Sequence, residues 1–551
     1  MPARASNQGE EMLDIPVLIS GGGPVGLTAS LLLSQHGVRS LLVERHPSTA
    51  LTPKARGINA RTMEVFRQCG IDGAIRDAGL AEGGTGLIVW TETLVGKEIE
   101  RRVPGRATPK SMAATPVRNC LCAQDDLEPV IRRFAESSGP GTLRFNTELT
   151  LFSQKPGGVT GTLTDRMTGQ ETHFTARYLI AAEGAQSRVR RALAVKMVGK
   201  ENVYDSVNIL FQADLAQWVT HRPAALYFVE QEDLRATFLT INGRDRWGFL
   251  IHGPKQYGWM PQDFTPEFCA KLIRKAVGVP DLDVSVLSVS PWQASAIVAD
   301  RYRVGDAFLA GDAAHEMPPT GGFGLNTGVQ DVHNLTWKIA AVLRGKADES
   351  LLDSYHAERQ PLGQIITQNS LANALSMGRT ARQSNVLPRR EFLNEQGLIF
   401  GANYQSMAVV PDGTPPAVID DPVTEYVPSA RPGSRAPHAW LRRGNEQIST
   451  IDLFGPHFVL LAGCDGDAWR RAALGIGVSW PPLIAFTVGK EGDLGDPDGN
   501  WNDVYGIDTD GAVLVRPDGH VAWRSRSSAS NPPEILRAAL DCVLGRMPAI
   551  V

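Results

Sequence analysis

Residues 15–44 read IPVLISGGGPVGLTASLLLSQHGVRSLLVE, and the order of their parts decides the fold. An apolar run, Ile15 to Ser20, has the character of a buried strand. It feeds the turn Gly21-Gly22-Gly23-Pro24-Val25-Gly26, and a helical run follows to about Gln35. Gly37 breaks that helix, and a second apolar run, Arg39 to Val43, ends in Glu44. Strand, G-x-G-x-x-G turn, helix, strand and terminal acid are the parts of a dinucleotide-binding unit. Gly21 permits the tight turn, Gly23 lets backbone approach a pyrophosphate, and Gly26 lets helix and strand pack closely. The helix N-terminus offers free N–H groups and a positive dipole end to phosphate. Glu44, 18 residues past the last glycine, can accept from ribose hydroxyls. The glycines alone are a weak signal, and the flanking elements make it strong. The unit does not by itself distinguish one dinucleotide from another.

Around this unit the bulk properties are those of an ordinary globular protein. A length of 551 residues suggests roughly two to four domains with ample core. The net charge of -4, without a block of like charges, leaves no footprint for nucleic acid. The most apolar window, residues 15–33, is broken by three glycines and Pro24 and reads as buried strand and helix, so no membrane partner is expected. The first residues, MPARASNQGEE, lack the apolar core of a signal peptide. Cys120 and Cys122 form the one close cysteine pair, and no second pair completes a zinc site. The expectation is no metal, buried reduced thiols and a cytoplasmic location.

Further along, TPKARGIN reads as a loop before the amphipathic helix ARTMEVFRQCG, and AQDDLEPVIRRFAESS reads as a helix over 123–138. Residues 196–290 alternate aromatic and polar residues, as a sheet with one covered face does. Residues 411–438, rich in Pro, Asp, Ser and Gly, read as a linker. Beyond them lies a small α/β pattern with a hairpin around Pro517-Asp518-Gly519.

A second glycine-rich junction lies at 304–338, VGDAFLAGDAAHEMPPTGGFGLNTGVQDVHNLTWK. A strand delivers Gly311-Asp312, and the loop Gly321-Gly322-Phe323-Gly324-Leu325-Asn326 leads into a helix. The loop can bring backbone close to a flat ring system, and the helix can aim N–H groups at negative charge on it.

Three motifs in order, GGGPVG with Glu44, YLIAAEGAQSRVRRAL and LAGDAAHEMPPTGGFGLNTGVQDVHNLTWK, resemble those of the FAD-dependent aromatic hydroxylases over residues 14 to about 375. ARTMEVFR, QDDLEP and the tail STIDLFGPHFVLLAG…YGIDTDGAVLVRPDGHVAWR are similar to the polyketide hydroxylases, the anthracycline-type enzymes above all. The resemblance implies an α/β chain in which a Rossmann-like FAD-binding domain is interleaved with a β-sheet substrate domain. The FAD-binding domain would span 12–195, with substrate-domain strands near 86–118, and resume over 291–410. The substrate domain would span 196–290, and a C-terminal thioredoxin-like domain 421–551. That last domain lacks C-x-x-C, with Cys464 alone in LAGCDGD, so no redox role is expected of it.

The resemblance also assigns residues. Gly21, Gly23, Pro24, Val25 and Gly26 would cradle the FAD pyrophosphate, Glu44 and Arg45 the adenosine end, and Gln124 the pyrophosphate and ribitol. Arg56 would lie in the loop near the cofactor, and Asp312 would be the GD-motif acid. Pro319 and the loop Gly322, Phe323, Gly324, Leu325 and Asn326 would border the isoalloxazine, with Pro319, Gly322 and Phe323 nearest the chemistry. Glu183 stands where the family has aspartate; FAD binding should persist, and efficient use of NADPH is in question. His315 is expected to hydrogen-bond backbone in its loop, and Arg188 and Arg190 to be surface charges. Tyr227, Phe228, Phe238, Trp247 and Phe249 are candidates for an aromatic substrate wall, of which alternation admits only some; Tyr227, Phe238, Trp247 and Phe249 are assigned to it, with Pro318.

The implied activity is hydroxylation of a phenolic, polycyclic polyketide with NADPH or NADH and O2 through a flavin C4a-hydroperoxide, by a monomer or homodimer. A Baeyer–Villiger or ring-opening flavin oxygenase is an alternative, and so is a catalytically silent flavin-binding partner.

Overall fold

Strand Leu13–Ser20 lies inside a mixed sheet, parallel to Glu171–Ala181 on one side and to Ser40–Val43 on the other. Ala307–Leu309 and Thr142–Arg144 extend the parallel set outward, and the hairpin Thr147–Lys155 with Gly158–Asp165 joins it antiparallel through Glu171–Ala181. These are the contacts of a computed structural model, which describes residues 12–80, 87–102, 113–376, 394–476 and 482–546. Val17, Leu18 and Ile19 are fully buried, as a parallel strand covered on both faces requires. The helix Pro24–Gln35 buries every residue from Gly26 to Ser34, so its apolar character runs all round. A Cβ on Gly26 would sit 1.9 Å from the Gly21 carbonyl oxygen, which is why helix and turn can approach only with glycine there.

The second sheet has eight strands. Their order is His315–Glu316, Ser285–Ala299, Met197–Gln212, Arg246–His252, Arg235–Thr240, Leu226–Glu230, Ile88–Thr91 and Glu98–Arg102. The strands near 86–118 do join it, through a parallel pairing of Leu226–Glu230 with Ile88–Thr91, although residues 86 and 103–112 lie outside the described residues. The sheet also overruns the expected boundary at 290, because Ser285–Ala299 pairs along the whole length of Met197–Gln212. One face packs under the helix Pro266–Val277, whose Cys269, Leu272 and Ile273 join a core with Val207, Ile209, Phe211 and Ile251.

The third sheet runs Leu483–Val488, Phe458–Gly463, Ala512–Val515, Val521–Ser525, with the first pair parallel and the others antiparallel. With helices Asp467–Ile476 and Pro532–Val543 this is the expected thioredoxin-like order. Its helix-covered face shares one apolar cluster with Trp337 and Ala341 of the long helix Gly324–Leu343. The other face is covered by Ala430, Ala436, Ile451 and Trp501, so part of the expected linker is packed core instead.

A seam of buried ions joins this domain to the rest. Glu358 accepts from Lys338 Nζ at 2.7 Å and from both terminal nitrogens of Arg516 at 2.6 and 2.9 Å, and all three side chains are fully buried. Arg61 donates to Glu64 at 3.0 Å and to the Asp518 carbonyl at 2.8 Å, and Asn334 donates to Asp518 at 3.2 Å. Arg435, from the expected linker, closes on Glu64. Burial pushes the Glu358 and Asp518 carboxyls upward, but Arg516, joined by Lys338 at Glu358 and by His520 at Asp518, outweighs it and holds both below the usual carboxylate range.

Candidate active site

A cavity of about 850 Å³ opens where strands Leu13–Ser20 and Ala307–Leu309 end, at the carboxyl edge of the parallel sheet. Its first wall is the turn Gly21 to Val25. Gly21 holds a φ of +110°, and a Cβ there would strike the Ala182 carbonyl at 2.3 Å. A Cβ on Gly23 would meet nothing nearer than Glu128 Oε1 at 4.0 Å, so the space above it is free. Gly26 does its work behind the wall, as packing. Gly22 carries a constraint that the motif does not advertise: a Cβ there would lie 2.7 Å from Glu44 Cβ, and its N–H donates to Glu44 Oε2 at 2.6 Å. Glu44 thereby becomes a fixed acceptor at the cavity edge beside Arg45.

Three long helices begin at this cavity: Pro24–Gln35, Gln124–Ser137 and Gly324–Leu343. None has a side-chain cap, so their leading N–H groups are not used up by the chain's own side chains. Gln124 lines the cavity and donates to Glu128 Oε1 at 2.7 Å, while Glu128 Oε2 accepts from Ala50 N at 2.5 Å. Burial raises the Glu128 pKa. Glu128 was absent from the sequence reading; its spacing of four from Gln124 puts both on one helix face.

The GD loop forms the second wall. Asp312 lines the cavity, and its carboxylate makes no hydrogen bond to a described residue. It is open to the cavity yet ringed by protein, and that enclosure raises its pKa. Behind it, Asp331 organises the loop by accepting from Gly311 N at 3.2 Å and Arg359 Nε at 2.9 Å and by pairing with His315 Nε2 at 2.7 Å. His315 is thus fully buried against a carboxylate, not backbone, and stands outside the cavity lining. Arg190 is also buried, not a surface charge: it donates to Ala185 O at 2.6 Å and Ala313 O at 3.2 Å, tying the two loops together. Arg188 is the exposed one, paired with Glu148 at 2.9 Å. Glu183 lies at the cavity edge with its carboxylate committed to Ser20 Oγ at 2.8 Å, Ser187 Oγ at 2.6 Å and Val189 N at 3.0 Å.

Pro318, Pro319, Gly322, Phe323, Gly324 and Leu325 all line the cavity. Gly321 and Gly322 hold φ of +107° and +69°, so the loop's shape depends on them. Asn326 does not line it. Its amide is spent on the loop itself, donating to Gly57 O at 2.9 Å and Gly322 O at 2.6 Å and accepting from Asn59 N at 2.9 Å. Asn326 therefore staples the glycine loop to the segment carrying Arg56. Arg56 lines the cavity, donates to Thr240 O at 2.9 Å and Ala225 O at 2.7 Å, and is lowered by burial to about 10.

The third wall is the eight-stranded sheet, and here the assigned aromatics prove to be on the wrong side. Tyr227, Phe238, Trp247 and Phe249 all face the core beneath Pro266–Val277, each at most 1 % exposed. Alternation settles the matter strand by strand. Phe228, Thr237, Leu239, Leu250 and His252 occupy the opposite face and line the cavity, with Tyr204, Leu226 and Ile88. The largest aromatics go where a helix can cover them, and the cavity face takes one of the five candidates, Phe228. Tyr204 and His252 were missed: Tyr204 stands apart from the aromatic runs, and His252 closes the run that holds Trp247 and Phe249 but on the opposite face of the strand. The six cysteines are unpaired, but Cys464 and Cys542 are exposed, not buried. Among the described residues no group of three potential metal ligands occurs, and no helix is long and apolar enough to cross a membrane.

The chain's relatives share this architecture. Residues 14–370 match the FAD binding domain and residues 429–547 the aromatic-ring hydroxylase C-terminal domain. The chain belongs to the FAD-dependent aromatic-ring hydroxylases, a family of flavoprotein monooxygenases. It is 38 % identical to the tetracenomycin A2 monooxygenase-dioxygenase of Streptomyces glaucescens, over 97 % of both chains. Among solved structures it is similar to the flavin-dependent monooxygenase PieE in complex with FAD and substrate, with a TM-score of 0.90 and 35 % identity. It is likewise similar to aklavinone-11 hydroxylase with FAD and aklavinone, with a TM-score of 0.86 and 34 % identity. Both alignments cover 97 % of this chain and 100 % of the other.

Proposed function

We propose that this enzyme hydroxylates a polycyclic phenol of polyketide type, using NADPH or NADH and O2. The observation that carries the reading is that one cavity is walled by both glycine loops and by the free face of the substrate sheet. A cofactor in the first part and an aromatic ring in the second would share a boundary at Pro318, Pro319 and Phe323. The residues fit FAD: the space above Gly23 is clear, the first-turn amides are uncapped, and the Asp312 carboxylate makes no hydrogen bond to a described residue.

Gly21 to Val25 would hold the pyrophosphate with backbone N–H groups, Glu44 the adenosine ribose with Arg45 beside it, and Gln124 and Asp312 the ribitol side. Gly322 to Leu325 would lie against the isoalloxazine, where the N-terminus of Gly324–Leu343 favours negative charge. The bound flavin supplies the oxidising chemistry; the chain supplies orientation and a dry wall. Phe228, Leu226, Leu239 and Leu250 exclude water from the substrate's ring faces. The unpaired cysteines suit a reducing, cytoplasmic setting.

The test is product mass spectrometry with labelled O2, NADPH and a panel of polycyclic phenols. One labelled oxygen in the product supports hydroxylation. Peroxide accumulating in step with NADPH loss, with no label in any product, rejects it. Gly23→Val should give a folded, colourless protein, read from flavin absorbance beside circular dichroism, because the added side chain enters only the cofactor's space.

A further inference from the structure

The cavity wall formed by the sheet is polar at both ends and apolar between them. Leu226, Phe228, Leu239 and Leu250 fill the middle. Arg56 lies at one end, beneath the carbonyls of Ala225 and Thr240. At the other end stand Tyr204, Thr237 and His252. Thr237 and Thr240 are three residues apart on one strand, so the polar ends are about 10 Å apart. That length suits a flat molecule of about three fused rings with oxygen at its edge.

His252 Nε2 lies 3.1 Å from Thr237 Oγ1, and Nδ1 makes no hydrogen bond to a described residue. The imidazole is lowered by burial to about 4, so it is neutral at physiological pH. Tyr204 packs edge-on against His252, with ring centroids 6.1 Å apart, and against Trp292 at 5.9 Å. Trp292 is itself anchored by Nε1–H donation to Asn208 Oδ1 at 2.7 Å. The Tyr204 ring is thereby fixed, and its hydroxyl makes no hydrogen bond to a described residue.

We propose that His252, steadied by Thr237, and Tyr204 form a clamp that reads one uncharged ring oxygen of the aromatic substrate and so fixes which ring edge meets the flavin. The assignment rests on the hydroxylase reading above. If Thr237 donates to Nε2, His252 offers Nδ1–H to a ketone; if Nε2–H donates to Thr237, Nδ1 accepts from a phenol. A neutral imidazole between a threonine and a tyrosine reads either of these, and it gives a carboxylate no counter-charge. A ring without an oxygen there would leave the clamp desolvated and unpaired, and sites of this kind discriminate strongly against such analogues.

The experiment uses the FAD-loaded protein and two probes: an anthraquinone with a hydroxyl beside its ketone, and anthracene, which carries no ring oxygen. Binding is followed by perturbation of the flavin spectrum. The wild type should prefer the hydroxylated probe by about tenfold. His252→Leu and Thr237→Val should abolish that preference, and His252→Gln should restore part of it. FAD content and Tm are read alongside; if His252→Leu loses FAD or folds poorly, Thr237→Val and Tyr204→Phe decide. A wild type without the preference, or a preference that survives these substitutions, overturns the clamp. Oxygen-label incorporation is scored separately: label with an unmoved preference rejects only the clamp, and an intact, His252-dependent preference without label rejects only the hydroxylase reading.

Discussion

Two buried polar regions of this molecule contrast sharply. In the seam between the C-terminal domain and the long helices, the charges of Glu358, Arg516, Lys338 and Asp518 are answered by groups of the same chain. In the cavity, the Asp312 carboxylate and the Tyr204 hydroxyl make no hydrogen bond to a described residue, and three helices start uncapped. The carboxyls differ accordingly: Glu358 and Asp518 in the seam are held low by the cations around them, whereas burial raises Asp312 at the cavity. Both regions are polar and enclosed, but only the cavity leaves its polar groups for a guest.

The contrast can be broken most forcefully at the seam. Glu358→Ala strands Lys338 without its acid and leaves Arg516 with Asp518 alone, and the folded state should lose about 3–5 kcal/mol. The shift in urea midpoint of the FAD-loaded protein measures it, and an unchanged midpoint would show that the seam is not the brace described. In the cavity the same kind of change should act on the guest. Asp312→Asn removes a disfavoured charge, so the apoprotein should be as stable as before or more so, while FAD affinity falls about tenfold through the lost acceptor. Fluorescence titration of the apoprotein with FAD tests this.

The smallest effect is in pH dependence. Glu316 is raised from 4.5 to about 7, chiefly by burial, with Arg190 opposing and Asp312 and Glu201 reinforcing. Its folded form keeps a proton that the unfolded chain releases, so its contribution to stability declines as pH rises from 4.5 through 7. Glu358 has the opposite sign: its contribution is present above 4.5 and is lost as pH falls toward its depressed folded value. Melting the apoprotein across pH should therefore show Glu316→Gln flattening the decline between 4.5 and 7 without changing the acid limb. A decline as steep as that of the wild type would remove Glu316 as its source.

Much of the site was legible because glycine and helix-start patterns are local. Gly21 makes the tight turn, Gly26 lets the helix pack against it, the space above Gly23 is clear, and the GD loop and Pro318-Pro319 reach the same cavity. The sheet face was not legible. Period two says that Tyr227 and Phe228 point oppositely but not which of them meets the helix Pro266–Val277, a partner some 40 residues away in sequence. Asn326 was misread for a related reason: its motif position is right, but its amide is consumed by Gly57 and Asn59, which only the folded chain brings near. Arg190 and His315 likewise took their roles from distant partners.

The hairpin turn at Pro517-Asp518-Gly519 has a consequence for heredity. The Asp518 carbonyl holds Arg61, on the helix that follows the Arg56 loop, and its carboxylate holds Asn334, on the helix that rises from the second glycine loop. A chimaera that exchanges only residues 429–547 would bring foreign side chains against Arg61, Asn334 and Glu358. Viable recombinants in a shuffled library should therefore carry those three residues and the C-terminal segment from the same parent, as a linked haplotype.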